Sequence, residues 1–193
     1  IYAWHPDGFA MHSMRSASIS RLYIQVEPDD DIANWPDDRV WEALATRLGL
    51  DGWQLRTGPV LEKGITPMRS FVSSPMRYGR LLLAGDASHI VPPTGAKGLN
   101  LAIADVTRLA DALEGHYAGS SDALLDRYSD DALRRVWNST HFSWWMTQML
   151  HVPASGQPDA AFTRQLQLVQ LREAAAGGAL SVSLAQKYTG IGL

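Results

Sequence analysis

A short apolar run, a glycine-bearing loop and the start of a helix adjoin one another in residues 81–100. The run Leu81–Ala84 has the pattern of a buried strand, and Asp86 follows it, at the end of a strand where α/β folds usually bind ligands. Glycines 95 and 98 let the backbone approach a ligand closely. A helix from Gly98 would direct its free N–H groups, which stabilise negative charge, toward the loop.

A flavin fits this combination of groups. A carboxylate accepts hydrogen bonds from ribityl hydroxyls, and reduced flavin carries negative charge on its pyrimidine side, which suits a helix N-terminus. The alternative is an ordinary strand–loop–helix connection in which Asp86 caps a turn. His89 lies in the same loop, and no cluster of metal-binding residues supports a metal role for it.

A second set of polar side chains follows a predicted antiparallel meander at the start of the chain. His5-Pro6-Asp7-Gly8 is a turn signal, and the polar loop 16–20 separates two further strands, Phe9–Arg15 and Arg21–Val26. A hairpin centred on residue 18 predicts Ser13 opposite Tyr23 and Arg15 opposite Arg21, with Tyr2 opposite Met11. Because alternate residues share a face, this register places five polar side chains on one side of the sheet: Tyr2, Ser13, Arg15, Arg21 and Tyr23.

That polar face would suit a small aromatic anion. An arginine fork can bind both oxygens of a carboxylate, serine and tyrosine hydroxyls can complete the shell, and a tyrosine at the far end can hydrogen-bond a phenol. The alternative is a solvated sheet face with surface arginines, and an error in strand register would scatter the set.

The pattern of elements predicts an α+β fold with three regions. Residues 1–78 form a β-sheet region, residues 79–118 a strand–glycine loop–helix segment, and residues 119–193 a helical region. Beyond the meander, the sequence predicts a helix that ends at Gly49 and three strands, Gln54–Thr57, Leu61–Thr66 and Arg69–Val72. Four later helices are predicted over 98–117, 122–150, 159–175 and 180–188, the first with an apolar face that includes Leu99, Ile103 and Val106.

Composition bounds the kind of partner. The net charge of −3 gives no general case for nucleic acid or a membrane surface, and no stretch approaches the length of a membrane span. The chain has no cysteine, which fits a reducing cytoplasm. The sequence opens within a strand at Ile1, so we expect it to be the C-terminal part of a longer protein.

The motif Gly-Asp-Ala-x-His-x-x-Pro-Pro-x-Gly-x-x-Gly-x-Asn, at residues 85–100, resembles the second flavin motif of the class A flavoprotein monooxygenases, a family of aromatic hydroxylases. The similarity extends to Tyr2-Ala3-x-His5-Pro6, Arg15-Ser16-Ala17, Pro67-x-Arg69-Ser70-Phe71 and the run Phe142–Thr147. The resemblance implies FAD as cofactor, NADPH and O2 as co-substrates, a small aromatic acid as substrate and a homodimer. The implied reaction is hydroxylation of 4-hydroxybenzoate to 3,4-dihydroxybenzoate.

The resemblance also implies roles for individual residues. Substrate would be bound by Ser13, Met14, Arg15 and Tyr23 around the carboxylate, and by Tyr2 and the Pro93 carbonyl at the phenol. Tyr2, Pro93 and Tyr188 would serve catalysis, with Tyr2 and Tyr188 in a proton relay. The cofactors would be bound by Asp86 at the ribityl chain, Gly95, Gly98, Leu99 and Asn100 at the flavin ring, Arg21 near the flavin and Arg69 at the nicotinamide nucleotide. No metal is implied.

The sequence departs from the family pattern in two respects. It has no Gly-x-Gly-x-x-Gly motif, which binds the FAD adenylate and pyrophosphate, so the FAD/NAD(P)-binding fold would be incomplete. Beyond about His151 the similarity fades, and Tyr188 can also be read as a plain helix-end residue. Two alternatives therefore stay open: a hydroxylase of another aromatic acid, and a truncated chain that binds ligand without catalysis.

Overall fold

The computed structural model describes residues 1–119, 121–154 and 156–190 as a mixed helix and sheet fold. Two compact units divide the chain: Ile1–Pro67 with Gln148–Arg172, and Met68–Thr147 with Glu173–Leu193. The predicted mixture of helix and sheet is confirmed, whereas the division into three regions stays a prediction. No helix in the described part of the chain is both long and apolar enough to cross a bilayer.

The first unit begins with a three-stranded antiparallel sheet, β1 (Tyr2–Ala3), β2 (Ala10–Met14) and β3 (Ser20–Ile24), in that order. The predicted turn joins β1 to β2, where the Gly8 N–H donates to the His5 carbonyl at 2.9 Å. Gly8 has φ +119°, a conformation that glycine adopts without steric cost.

The register of the sheet corrects one of our predictions. Tyr2 pairs with Met11 as expected, but Ser13 pairs with Arg21 rather than with Tyr23, which pairs with Met11. The β2–β3 loop is centred one residue earlier than predicted, so partners shift by two residues. A shift of two preserves the alternation of faces, and the predicted polar face therefore persists with different partners.

The opposite face of this sheet packs on helix α1 (Asp37–Leu48). Leu44 and Leu48 are buried with Ala10, and Leu22 and Ile24 pack against them. The helix begins after Pro36, with two acids in its first turn, and ends at Gly49, as the sequence predicts. One face of the sheet thus forms the core, which leaves the other face polar.

Two predicted strands in the first unit are wrong. Residues 54–57 and 61–66 have no strand pairing, and β4 (Phe71–Val72) covers only the end of the third predicted strand. A strand needs a neighbour for its backbone hydrogen bonds. Gly58, Pro59, Gly64 and Pro67 interrupt these segments, and proline removes donors that a ladder would need.

In the second unit, two small antiparallel pairs precede the glycine loop. Strand β4 pairs with β7 (His89–Ile90), and β5 (Arg77–Tyr78) pairs with β6 (Leu81–Leu82). The prediction of a buried strand over 81–84 is wrong, because only Leu81 and Leu82 pair as a strand and Leu81 is 59% exposed. The hairpin partner Tyr78 is 83% exposed, and Leu82 is partly buried against the core, so the run forms an edge pair with one side in solvent rather than a core strand.

Helices complete both units, at bounds close to those predicted. They are α2 (Gly98–Tyr117), α3 (Ala123–Leu150), α4 (Ala160–Ala175) and α5 (Ala179–Thr189). One core cluster of the second unit contains five buried side chains: Met76, Leu101, Tyr128, Ala132 and Val136.

The predicted apolar face of α2 is only partly buried. Leu99, Ile103 and Val106 are 74%, 56% and 59% exposed, whereas Leu101 and Asp105 are buried. The helix is rotated from the face that hydrophobicity alone favours, because Leu101 packs in the core and Asp105 makes hydrogen bonds beneath the loop.

Candidate functional site

The polar face of the meander brings together the side chains that the sequence singled out. Tyr2, Met11 and Tyr23 form one cross-strand row, and Ser13 with Arg21 forms the next. Arg15 follows β2 directly, and its guanidinium donates to the Tyr23 hydroxyl at 3.3 Å. The Arg21 guanidinium lies 5.5 Å from the centre of the Tyr23 ring. Tyr23 therefore stands between two arginines.

Among the residues that the structure describes, no acid neutralises the charge of these arginines. Within the described residues, neither Arg15 nor Arg21 forms an ion pair. Both side chains are exposed, while Ser13 and Tyr23 are half-buried at the base of the face. Fixed donors with uncompensated positive charge favour an anion such as a carboxylate.

Two other predicted substrate residues take distinct positions. Met14 alternates to the face opposite Ser13 and is 70% exposed, so its main chain rather than its side chain borders the polar face. Tyr2 is half-buried, with its ring centroid 6.1 Å from that of Phe9. The roles that we predict for these residues stay predictions.

In the second unit, Asp86 occupies the middle of a 3-10 turn, Gly85–Ala87, and its side chain is exposed. Gly85 has φ +60°, and a Cβ there would lie 3.2 Å from the Cβ of Ala102 on α2. Glycine is therefore required on two grounds, its backbone conformation and its close approach to the helix. The turn presents a free carboxylate beside α2, in keeping with a ligand that offers hydroxyl groups.

The N-terminus of α2 fits the negative edge of a flavin. The helix begins at Gly98, and Lys97 at its N-cap makes no side-chain capping bond. The first N–H groups of a helix have no partner within it, and Leu99 and Asn100 are exposed there. Because unpartnered donors and the helix dipole both favour negative charge, these residues fit the cofactor group that the sequence predicted.

Helix α3 supports the middle of the glycine loop. A Cβ on Gly95 would lie 2.3 Å from the Ser143 Oγ and 3.0 Å from the Ser143 Cα. One turn later on α3, the Thr147 hydroxyl donates to the Thr94 hydroxyl at 3.0 Å. The similarity over Phe142–Thr147 thus corresponds to a surface against which the loop packs, and only glycine fits at position 95.

Lys97 is a buried residue whose contacts we did not predict from the sequence. Its Nζ donates to the Tyr188 carbonyl at 2.5 Å and lies 5.2 Å from the centre of the Phe142 ring. Burial, and next the charge of Arg135, lower the pKa of Lys97. The sequence signal for this buried contact is a lysine among the small and apolar residues 95–99, because a charged group in such a loop needs hydrogen-bond acceptors.

Tyr188 and Pro93 belong to this second unit as well. The Tyr188 ring meets Phe142 edge-on, with centroids 6.3 Å apart, so Lys97 and Phe142 fix the end of α5. The Pro93 carbonyl accepts from the Ala96 N–H at 2.9 Å, which leaves its second lone pair for another donor. Arg69 is exposed in a loop, and its predicted role at the nicotinamide nucleotide stays a prediction.

Comparison with known proteins points to the same cofactor. The family model described as "FAD binding domain" matches residues 1–143. The p-hydroxybenzoate hydroxylase of Acinetobacter baylyi is 46% identical over 192 residues, 99% of this chain and 47% of that protein. A probable NADH-specific resorcinol 4-hydroxylase of Rhodococcus jostii is 37% identical over 91 residues, 47% of this chain and 16% of that protein.

Solved structures show the same fold. The ternary complex of aklavinone-11 hydroxylase with FAD and aklavinone is similar with a TM-score of 0.65 and 24% sequence identity, over 81% of this chain and 29% of that one. The present chain spans about half the length of the p-hydroxybenzoate hydroxylase that it matches. The match of the family model, the identity across nearly the whole chain and the fitting glycine loop show that this chain belongs to the FAD binding domain family of FAD-dependent monooxygenases.

Proposed function

We propose that this chain supplies the substrate sheet and the flavin loop of an FAD-dependent hydroxylase of small aromatic acids, with 4-hydroxybenzoate as the substrate and 3,4-dihydroxybenzoate as the product. The main support for this proposal is the polar face. There the Arg15 guanidinium donates to the Tyr23 hydroxyl at 3.3 Å, and no carboxylate of the described residues neutralises the arginine's charge. The name of the 46% identical relative supports this substrate.

The arginines argue for an acid over a neutral phenol. A carboxylate gains charge-assisted hydrogen bonds from Arg15 and from the Ser13 and Tyr23 hydroxyls, whereas resorcinol, which the second relative's name specifies, offers no anion to them. That name also specifies NADH, so the choice of NADPH rests on the resemblance to the family and needs its own measurement.

The chemistry that FAD supplies when bound is transfer of electrons from a nicotinamide nucleotide to O2, so that one oxygen atom enters the aromatic ring and the other leaves as water. The protein supplies binding, orientation and electrostatics. In the second unit, Asp86 would hold the ribityl hydroxyls, and the N–H groups of Leu99 and Asn100 would orient the ring of the cofactor. Gly95, which packs against Ser143 of α3, would keep this loop in place beside the cofactor.

In the first unit, the polar face would orient the substrate by its two ends. Arg15, Ser13 and Tyr23 would bind the carboxylate, and Tyr2, which lies two strands from Tyr23 in the same cross-strand row, would meet the para hydroxyl. A free phenol has a pKa of about 10. The Tyr2 hydroxyl would take the substrate proton while it passes its own to solvent, and the resulting phenolate is more nucleophilic at the carbon beside the oxygen, which is general-base catalysis.

Binding measurements test this assignment. They use the longest natural polypeptide that contains these 193 residues, which we call the whole protein. Arg15→Ala should weaken 4-hydroxybenzoate by about 30-fold, or roughly 2 kcal/mol, the value for a hydrogen bond between charged groups. Arg56→Ala removes an exposed arginine of the same unit and is the matched control. Resorcinol should bind weakly to all three proteins.

An equal loss of 4-hydroxybenzoate affinity in Arg56→Ala would mean that only general charge matters. An unchanged dissociation constant in Arg15→Ala would mean that the carboxylate binds elsewhere. If resorcinol bound more tightly than 4-hydroxybenzoate, the result would favour hydroxylation of a neutral phenol, as the name of the second relative specifies.

A further inference from the structure

Asp105 and His89 form a buried pair beneath the glycine loop. Each residue is 1% exposed, and the His89 Nε2 lies 2.6 Å from the Asp105 Oδ2. The same oxygen accepts the backbone N–H of Gly85 at 3.1 Å. A residue in the second turn of α2 therefore reaches back to the residue that precedes Asp86.

The chemistry of the pair fixes which atoms donate. An ionised carboxylate only accepts hydrogen bonds, so the His89 Nε2 is the donor toward Asp105. The His89 Nδ1 has no hydrogen-bond partner within the described chain. A buried carboxylate is unfavourable unless it is hydrogen-bonded, and the Asp105 oxygen meets this need with one donor from His89 and one from the Gly85 backbone.

These bonds hold the backbone of Gly85 on both sides. Asp105 accepts from its N–H, while both the N–H and the hydroxyl of Ser88 donate to its carbonyl at 2.9 Å. Gly85 also has φ +60°, a conformation that needs support from its surroundings. The position and direction of Asp86, the next residue, follow from the backbone that this pair fixes.

We propose that Asp105 is a positioning residue for the cofactor, which acts with His89 to hold the Gly85–Ala87 turn so that the Asp86 carboxylate meets the ribityl hydroxyls of FAD. This inference rests on the proposed flavin role of the loop. It gives Asp105 a role in ligand binding although Asp105 itself lies beneath the loop and touches no ligand.

The test compares three variants of the whole protein. Asp105→Ala removes both hydrogen bonds, Asp105→Asn keeps the shape and one acceptor, and Asp111→Ala removes an exposed acid of the same helix as the control. Two quantities are measured: amide hydrogen exchange of a peptide spanning residues 81–90 in the FAD-free protein, and the FAD dissociation constant from flavin fluorescence well below the melting temperature.

Asp105→Ala should raise the exchange of this peptide and weaken FAD by about 10-fold, the fold-change for one lost net hydrogen bond. Asp105→Asn should weaken FAD by about 3-fold, since a neutral carbonyl is the weaker acceptor. The control should match the wild type in both quantities. If Asp105→Ala does not fold, the Asp105→Asn values decide the question.

Three results would overturn the inference. Unchanged exchange in both Asp105 variants would mean that the pair does not hold the turn. Raised exchange with wild-type FAD affinity would mean that the turn does not serve the cofactor, and the proposed function would stand. Failure of the wild-type protein itself to bind FAD would contradict the proposed function, and the inference would fall with it.

Discussion

Acid should destabilise the first unit through His151, whose ring is stacked on Phe9 with centroids 4.6 Å apart. Its Nε2 is out of solvent and has no hydrogen-bond partner in the described part of the chain. Burial therefore lowers the pKa of His151 from 6.5 to about 4, because a charged ring in this position would lose its hydration without a compensating acceptor.

The shift sets the direction and the size of the effect. Between about pH 4 and 6.5 the unfolded chain binds the His151 proton and the folded chain does not, so the free energy of unfolding falls as the pH falls through this window. At 1.36 kcal/mol per pKa unit, the loss amounts to at most about 3 kcal/mol. Well above pH 6.5, where neither state binds the proton, this residue contributes no pH dependence.

Urea unfolding followed by tryptophan fluorescence at several pH values measures the effect, with His151→Phe as the perturbation. Phenylalanine keeps a ring against Phe9 and cannot take a proton, so the difference in unfolding free energy between variant and wild type should grow by about 3 kcal/mol from pH 6.5 to 4. His5→Gln, which alters a more accessible ring beside Asp7, should leave the acid loss in place. Parallel pH profiles for wild type and His151→Phe would mean that His151 is not the source of the acid loss.

Three further predictions concern the substrate face and the loop. Tyr2→Phe in the whole protein should keep 4-hydroxybenzoate affinity within about 2-fold, because the residues that bind the carboxylate remain. It should lower the product formed per NADPH consumed, because the proton route from the phenol is lost. A loss of affinity with unchanged product per NADPH would make Tyr2 a binding residue. Gly95→Ala should cost about 1–3 kcal/mol of stability by overpacking, partly restored by Ser143→Ala, whereas Gly64→Ala, with open space around it, should cost little. The isolated 193-residue chain, which lacks the Gly-x-Gly-x-x-Gly motif for the adenylate, should not retain FAD through gel filtration, and a stoichiometric yellow complex would contradict this.

Local signals in the sequence predicted the helices and the first turn well. Gly49 ends α1, Gly98 begins α2 and Gly8 closes the first turn, because proline, glycine and capping preferences act within a few residues. The polar face could also be predicted, since it depends only on the alternation of strand residues, which survives the register shift of two.

Features that depend on distant contacts could not be predicted in the same way. The exposed edge at Leu81 and the unpaired segments 54–57 and 61–66 depend on which neighbour a strand finds, and local composition does not specify it. The burial of Asp105 was hidden by the apolar residues around it in α2, because hydrophobic periodicity assigns an acid to the solvent side. An acid inside an apolar helical run is the sequence signal that indicates such a buried carboxylate.

The most direct test of the central claim is hydroxylation of 4-hydroxybenzoate by the FAD-loaded whole protein, with product quantified against nicotinamide nucleotide consumed. We expect 3,4-dihydroxybenzoate with NADPH as the reductant, at a yield that falls when Arg15→Ala is assayed at the same subsaturating substrate concentration. Nucleotide oxidation that 4-hydroxybenzoate neither stimulates nor converts into a hydroxylated product would contradict it.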